Sequence, residues 1–123
     1  MLGMMELVKN ELLKKKVPYE FGEWTSKVSY PYFVGSFQET ENFFEDGRIT
    51  GIFTIDGWAR GSKLALFEFV ETIKHTFTNL YAVIDGTLYF AYNPIALPTP
   101  TGENDLYKVT VTFNTTEWKG SGE

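Results

Sequence analysis

The chain contains no cysteine and a single histidine among its 123 residues. Without cysteine there is no disulfide, no thiolate metal ligand and no cysteine nucleophile, which fits a reducing compartment. His75 lies near the end of an amphipathic segment, where a cation suits the helix dipole. We interpret it as a helix-end residue, because a catalytic triad would also need a nucleophile and an orienting carboxylate nearby.

An excess of basic charge and a long apolar run are also missing. The formal net charge is −5, whereas a general nucleic-acid binder shows a basic stripe that neutralises phosphates. The basic run at residues 14–16 is interpreted as a solvated helix end. No apolar run approaches the ~20 residues of a membrane helix, and residues 1–10 do not resemble a signal peptide. We therefore expect no membrane partner.

Aromatic residues, by contrast, are plentiful. They make up 17% of the chain, and hydrophobic residues make up 43%. These amounts allow a well-filled core and some aromatic surface. The length is typical of one domain, which we place at residues 1–119. Residues 120–123 are small and polar, and we expect them to form a flexible C-terminal tail.

Two segments have the apolar spacing of amphipathic helices. The first covers residues 4–16 and ends at Val17-Pro18, because the residue before proline is disfavoured in a helix. The second covers residues 63–77, with Ser62 as the predicted N-cap. Both are short and need a sheet to pack on.

The remaining segments alternate extended runs with turn signals, the clearest of which is Asp85-Gly86 between two β-prone runs. Predicted strand regions are 19–43 (split by Pro31), 48–58, the 80–92 hairpin and 106–118, and residues 93–105 are predicted to be a proline-stiffened loop. This order predicts an α+β fold. We expect an antiparallel or mixed β-sheet built from two hairpins and a C-terminal strand, with two α-helices packed on one face.

The aromatic residues between Tyr30 and Phe44 exceed what one strand must bury. A protein interface is one explanation, since interfaces favour aromatic residues and arginine; plain core packing is the other, and both stay open. The interface candidates are Tyr30, Tyr32, Phe33, Phe37 and Arg60, together with Leu97, Pro98, Pro100 and Gly102 of the proline-rich loop.

Four carboxylates cluster near the 45–47 turn: Glu39, Glu41, Glu45 and Asp46. Their spacing is not that of an EF-hand, and a polar strand edge explains them equally well. The turn before the second helix has no nucleotide-binding glycine pattern, although an anion at that helix N-terminus remains an alternative. We expect no metal, no cofactor and no catalytic residues.

Three short motifs carry a family resemblance: YPYFVG from Tyr30, GWARGS from Gly57 and LPTPTG from Leu97. With them the chain resembles a group of small tail proteins from phages and prophages of Gram-positive bacteria, over residues 17–119. The order of elements also resembles the tail terminator proteins of long-tailed phages, which are also called tail-to-head joining or tail completion proteins.

The resemblance implies a non-enzymatic virion protein, made in the host cytoplasm and located in the tail or neck. Its partners would be further copies of itself in a hexameric ring, the tail tube protein and the head or neck connector proteins. DNA would only pass through the lumen, which the four carboxylates would line. The 93–105 loop and the 36–48 hairpin would reach a neighbouring subunit.

Two alternatives to a tail terminator remain. One is another neck or head-completion connector, which would share the size but bind the portal. The other belongs to a different class, a small-ligand-binding or enzymatic domain with a pocket between the second helix and the sheet.

Overall fold

A computed structural model describes residues 2–41 and 47–119 of the chain. Within them the chain forms two helices and six strands, which confirms the predicted α+β fold. The helices are α1 (Leu2–Lys14) and α2 (Leu64–Thr76), and the strands are β1 (Tyr19–Phe21), β2 (Tyr32–Glu41), β3 (Arg48–Arg60), β4 (Asn79–Ile84), β5 (Thr87–Thr99) and β6 (Leu106–Trp118). The predicted tail at 120–123 lies outside the described residues.

All six strands belong to one sheet, in the order β1-β2-β3-β6-β5-β4. β1 pairs in parallel with β2, and every other neighbouring pair is antiparallel. The two hairpins, β2–β3 and β4–β5, are therefore joined by β6, the last strand in sequence. The sequence predicted either an antiparallel or a mixed sheet, and the sheet is mixed.

The two faces of the sheet have different partners. The face that both helices cover, here the covered face, carries the buried residues of alternating strands, among them Phe33, Phe53, Ile55, Val111 and Phe113. The helices contribute buried side chains from one stripe each, Met4, Val8 and Leu12 from α1 and Leu66, Val70 and Ile73 from α2. One hydrophobic core therefore lies between the helices and the sheet.

Stacked phenylalanine rings fill the centre of this core. Phe113 stacks on Phe53 with 5.3 Å between ring centroids, and on Phe77 with 4.3 Å. Phe37 lies 5.5 Å from Phe53 on the neighbouring strand. Gly57 makes room for the same layer, because a Cβ there would lie 2.3 Å from Cε1 of Phe33, well inside contact distance.

The helix boundaries differ slightly from the prediction. α1 begins and ends two residues earlier, and Lys16 adopts a positive φ of 60° as the chain leaves it. α2 begins at Leu64, whose backbone N–H donates to Oγ of Ser62 at 3.3 Å. The N-cap position itself is Lys63, whose backbone carbonyl accepts from the Phe67 N–H at 2.9 Å and whose side chain makes no cap hydrogen bond. The prediction of Ser62 as the N-cap is therefore wrong by one residue.

The predicted loop at 93–105 is wrong in its first half. β5 continues to Thr99, with an irregularity between Tyr92 and Ile95, and residues 95–99 pair with β6. Proline removes a backbone donor and is tolerated only at a sheet edge. Pro94 and Pro98 meet this condition, because β4 begins at Asn79 opposite Tyr92 and leaves the outer side of residues 93–99 at an edge.

Candidate functional site

The face of the sheet that points away from both helices, here the open face, is the candidate site. It carries the side chains that alternate with the core residues, including Val34, Ile52, Thr54, Thr110, Thr112 and Asn114. All six are exposed or half-buried. Threonine suits a strand and tolerates water, so the centre of the open face is folded but polar.

Large apolar side chains are exposed toward the β4 and β5 side of this face. They are Tyr81 and Val83 of β4, and Ile95 and Leu97 of β5, with exposed fractions from 57% to 67%. Ile52 of β3 is 40% exposed on the same face, on the other side of β6. The β4 pair lies on the outermost strand, and the β5 pair lies where β5 has no further neighbour among the described strands. Water would be displaced from this side by a partner.

Four aromatic rings, here the aromatic cluster, cover the opposite end of the open face: Trp24, Tyr30, Tyr32 and Trp58. Tyr32 lies at the centre, 5.0 Å from Trp24, 5.6 Å from Tyr30 and 5.2 Å from Trp58 between ring centroids. Two cations flank the cluster, with Arg60 5.7 Å from the Tyr30 ring and Lys108 5.3 Å from the Trp58 ring. Such cation–π contacts add a little stability at exposed sites.

Arg60 joins the aromatic cluster to the β5–β6 turn. Hydrogen bonds to Tyr30 and to Glu103 raise the pKa of its guanidinium, and the Arg60 Nη2 to Glu103 Oε2 distance is 3.2 Å. The pair is exposed, so it contributes mainly orientation. Burial, followed by the neighbouring Tyr30, raises the pKa of Tyr32. Tyr32 therefore stays neutral at physiological pH.

The loop that carries Trp24 is held by one carboxylate. Glu20 accepts hydrogen bonds from the hydroxyls of Ser26 and Thr25 at 2.6 and 2.7 Å, and also from their backbone N–H groups. The Ser26 hydroxyl, followed by the hydroxyl and N–H of Thr25, lowers the pKa of Glu20 from 4.5 to about 2. These hydrogen bonds hold the loop that follows the edge strand β1, and so they position Trp24 on the open face.

The structure brings together only part of the predicted aromatic interface. Tyr30 and Tyr32 lie in the aromatic cluster beside Arg60. Phe33 is fully buried on the covered face, 5.9 Å from Phe69, and Phe37 is half-buried against Phe53. The prediction of Phe33 as an interface residue is wrong, because a side chain without exposed surface cannot contact a partner of the folded chain.

The proline-rich candidates lie at one end of the sheet. Leu97 and Pro98 belong to β5 and are exposed, while Pro100 and Gly102 belong to the turn that follows. Residues 98–104 border an open depression of about 530 Å³, together with Lys63 just before α2, Phe67 of α2 and Lys108 of β6. This is the position of the predicted ligand pocket, but it is a wide surface depression and not an enclosed site.

The acidic candidates are only partly described. Glu39 is half-buried on β2 and takes part in an interaction; Glu41 ends that strand. Glu45 and Asp46 lie outside the described residues. Among residues 2–41 and 47–119, no group of three or more histidine, cysteine or acidic side chains is arranged to hold a metal ion. His75 is exposed in the last turn of α2, as predicted.

Sequence reasoning missed Trp24, Trp58 and Lys108 as members of the candidate site. They come from the loop after β1, from β3 and from β6, and only strand pairing places them side by side. The alternation in β3 did place Trp58 opposite the core residues. Nothing in the sequence indicated that Trp24 would reach the same ring.

Comparisons with known proteins leave the function to be argued from this surface. No protein-family model matches the chain, and no curated protein matches it. Within the described part of the chain, neither helix is long and apolar enough to cross a membrane.

Proposed function

We propose that the chain is a non-enzymatic assembly protein of a phage virion, a tail terminator that caps the tail tube as a hexameric ring and offers the docking surface for the head. Its partners are then further copies of itself, the tail tube protein and the neck proteins. One observation carries the proposal: within the part of the chain that the structure describes, no helix covers the open face or the β4 edge, and apolar side chains are exposed on both.

This surface is what a subunit presents before assembly. Exposed apolar side chains that occur singly need no explanation, but a group on one side of a protein marks an interaction surface. Tyr81, Val83, Ile95 and Leu97 form such a group along the β4 and β5 side. The phage context comes from the resemblance of the YPYFVG, GWARGS and LPTPTG motifs, and the α+β class of the fold is the one that this resemblance implied.

The charge of the chain supports the same role. A net charge of −5 gives a ring whose lumen would repel DNA, so that DNA could pass without adhering. We assign this role to Glu39, Glu41, Glu45 and Asp46. Reversing their charge should impair DNA passage more than ring formation; normal DNA ejection by such a variant would contradict the assignment.

The proposal is tested by electron microscopy of particles from the source prophage after deletion of this reading frame, with the intact gene supplied from a plasmid as the control. We expect overlong tails beside full, unattached heads. Tails of normal length beside heads that fail to join or leak DNA would show another neck or head-completion protein. Intact virions would overturn a structural role and favour a ligand at the depression beside α2.

A further inference from the structure

We propose that copies of this chain associate head to tail through the two unlike edges of the sheet. In this contact, β4 of one copy lies beside residues 36–41 of β2 of the next copy, so that one sheet continues across the subunits. The inference rests on the proposed function, because it names the contact from which the ring would be built.

The first edge is β4, which ends the strand order. Its sequence is NLYAVI, without a charge or a proline, and Tyr81 and Val83 are 67% and 66% exposed. Free-standing proteins usually protect an edge strand with lysine, proline or a bulge. β4 pairs regularly with β5 over its whole length and has none of these devices, so it is suited to accept another strand.

The second edge is the outer part of β2. β1 pairs only with residues 33–35, and the chain leaves this position after the Gly22 N–H donates to the Gly35 carbonyl at 2.8 Å. No strand among the described residues occupies the outer side of residues 36–41. This vacant stretch and β4 are each six residues long. Residues 36–39 pair regularly with β3, and an irregularity lies between Glu39 and Glu41, so the regular part of the contact is residues 36–39.

The strand directions of the two edges also match. Four antiparallel pairings separate β2 from β4, so both strands run the same way. A rotation about an axis along the strands therefore brings β4 next to β2 in parallel, which is the sense in which β1 already pairs with β2. A contact between unlike surfaces forms a ring when the rotation closes.

The competing arrangement is a pairing of β4 with itself. Two identical edges pair about a twofold axis and close at two copies, whereas β4 against β2 leaves one unlike edge free at each end and can continue until a ring closes. Lys14 borders the depression beside Ala82 and Ile84 but is paired with Glu11 at 3.0 Å, so its charge gives little preference to either arrangement. Because the proposed function needs a ring, β4 against β2 is the contact that serves it.

Cysteine cross-linking tests the contact without background, since the chain has no cysteine. The two substitutions are Gln38→Cys on the β2 edge and Tyr81→Cys on the β4 edge. Both positions are exposed and lie on the open face. The two single variants, one of which carries a longer tag, are mixed at high concentration. A disulfide or a short bis-maleimide cross-link between the differently sized chains shows that the two positions are neighbours. A direct disulfide needs Cα atoms about 4.4–6.8 Å apart. Glu68→Cys, exposed on α2, replaces Gln38→Cys in the control mixture.

We expect the mixed product of Gln38→Cys and Tyr81→Cys to exceed the control product and each homodimer at least about tenfold, which corresponds to ~1.4 kcal/mol of preference. The double variant, supplied in place of the wild-type gene, should give a ladder up to a closed ring in purified particles. Melting curves like that of the wild type establish that the variants fold.

The outcomes separate the contact from the function. A dominant Tyr81→Cys homodimer, or products equal to the control in both purified protein and particles, would overturn the edge contact. Overlong tails after gene deletion, together with no ladder, would leave the tail terminator standing without this contact. A ladder together with intact virions after deletion would leave the contact standing and remove the tail role.

Discussion

The two faces of the sheet differ in what a hydrophobic residue does there. Phe53 and Ile52 are neighbours on β3, yet Phe53 is fully buried under the helices and Ile52 is 40% exposed on the open face. Complete burial of a large apolar side chain stabilises a fold by roughly 1.5–3 kcal/mol. Only the side chains on the covered face are buried deeply enough to contribute this stabilisation. The open face is therefore free to serve a partner without being needed for folding.

The open face is itself uneven. At one end the aromatic cluster covers it with four rings in contact; at the β4 and β5 side, apolar residues are bare. The aromatic cluster fixes the edge loop that precedes β2. The bare side contributes little to the monomer, which makes it the part that gains most from a neighbouring subunit.

The largest contrast between the faces is expected from Phe53→Ala and its control Ile52→Ala. Phe53→Ala removes a ring stacked on Phe113 and should lower the free energy of unfolding by about 3–5 kcal/mol. Ile52→Ala should change it by less than ~0.5 kcal/mol. Urea unfolding measures both, and similar losses would contradict the division into a covered and an open face.

A smaller effect is expected within the open face. Tyr32→Ala removes the ring that contacts Trp24, Tyr30 and Trp58 and should cost about 1 kcal/mol. Thr112→Ala, in the polar centre of the same face, should cost less than ~0.5 kcal/mol. Tryptophan emission should shift to longer wavelength in Tyr32→Ala alone; an unchanged spectrum would show that the rings do not depend on their central member.

The smallest effect is a local response to acid. The folded pKa of Glu20 lies below its ordinary value of 4.5, at about 2, so its contribution is present above pH 4.5 and is lost as the pH falls through about 2. Lowering the pH across this window should loosen the loop around Trp24 while the covered face persists. Carboxyl NMR titration measures the pKa, and Ser26→Ala should raise it toward 4.5.

A Glu20→Gln variant serves as the control for this titration. It keeps the size of the side chain and removes the ionisation, so it should show less change in Trp24 fluorescence between pH 4.5 and 2 than the wild type does. A wild-type pKa near 4.5 for Glu20 would contradict the hydrogen-bonded loop.

The elements themselves follow largely from local sequence. Both helices, the hairpin at Asp85-Gly86 and the inward and outward alternation of β3 were predicted, because apolar periodicity and turn residues act over a few positions. The prediction that His75 lies near the end of the second helix is also local and is confirmed. Of the candidate site, the sequence predicted Tyr30, Tyr32 and Arg60. Tyr30 lies just before β2, Tyr32 begins that strand, and Arg60 ends β3.

Strand order and neighbours across the sheet were decided by the tertiary structure alone. The placement of β6 between β3 and β5, the burial of Phe33 and the meeting of Trp24 with Trp58 all depend on contacts between residues distant in sequence. Pro94 and Pro98 indicated a loop, because proline weakens a strand with two neighbours. They are accommodated in β5 because β4 begins only opposite Tyr92 and leaves residues 93–99 without an outer neighbour among the described strands. The local pattern determines which face of a strand is apolar, whereas only the folded sheet determines which edge remains free, because an edge is defined by the strands that do not pair with it.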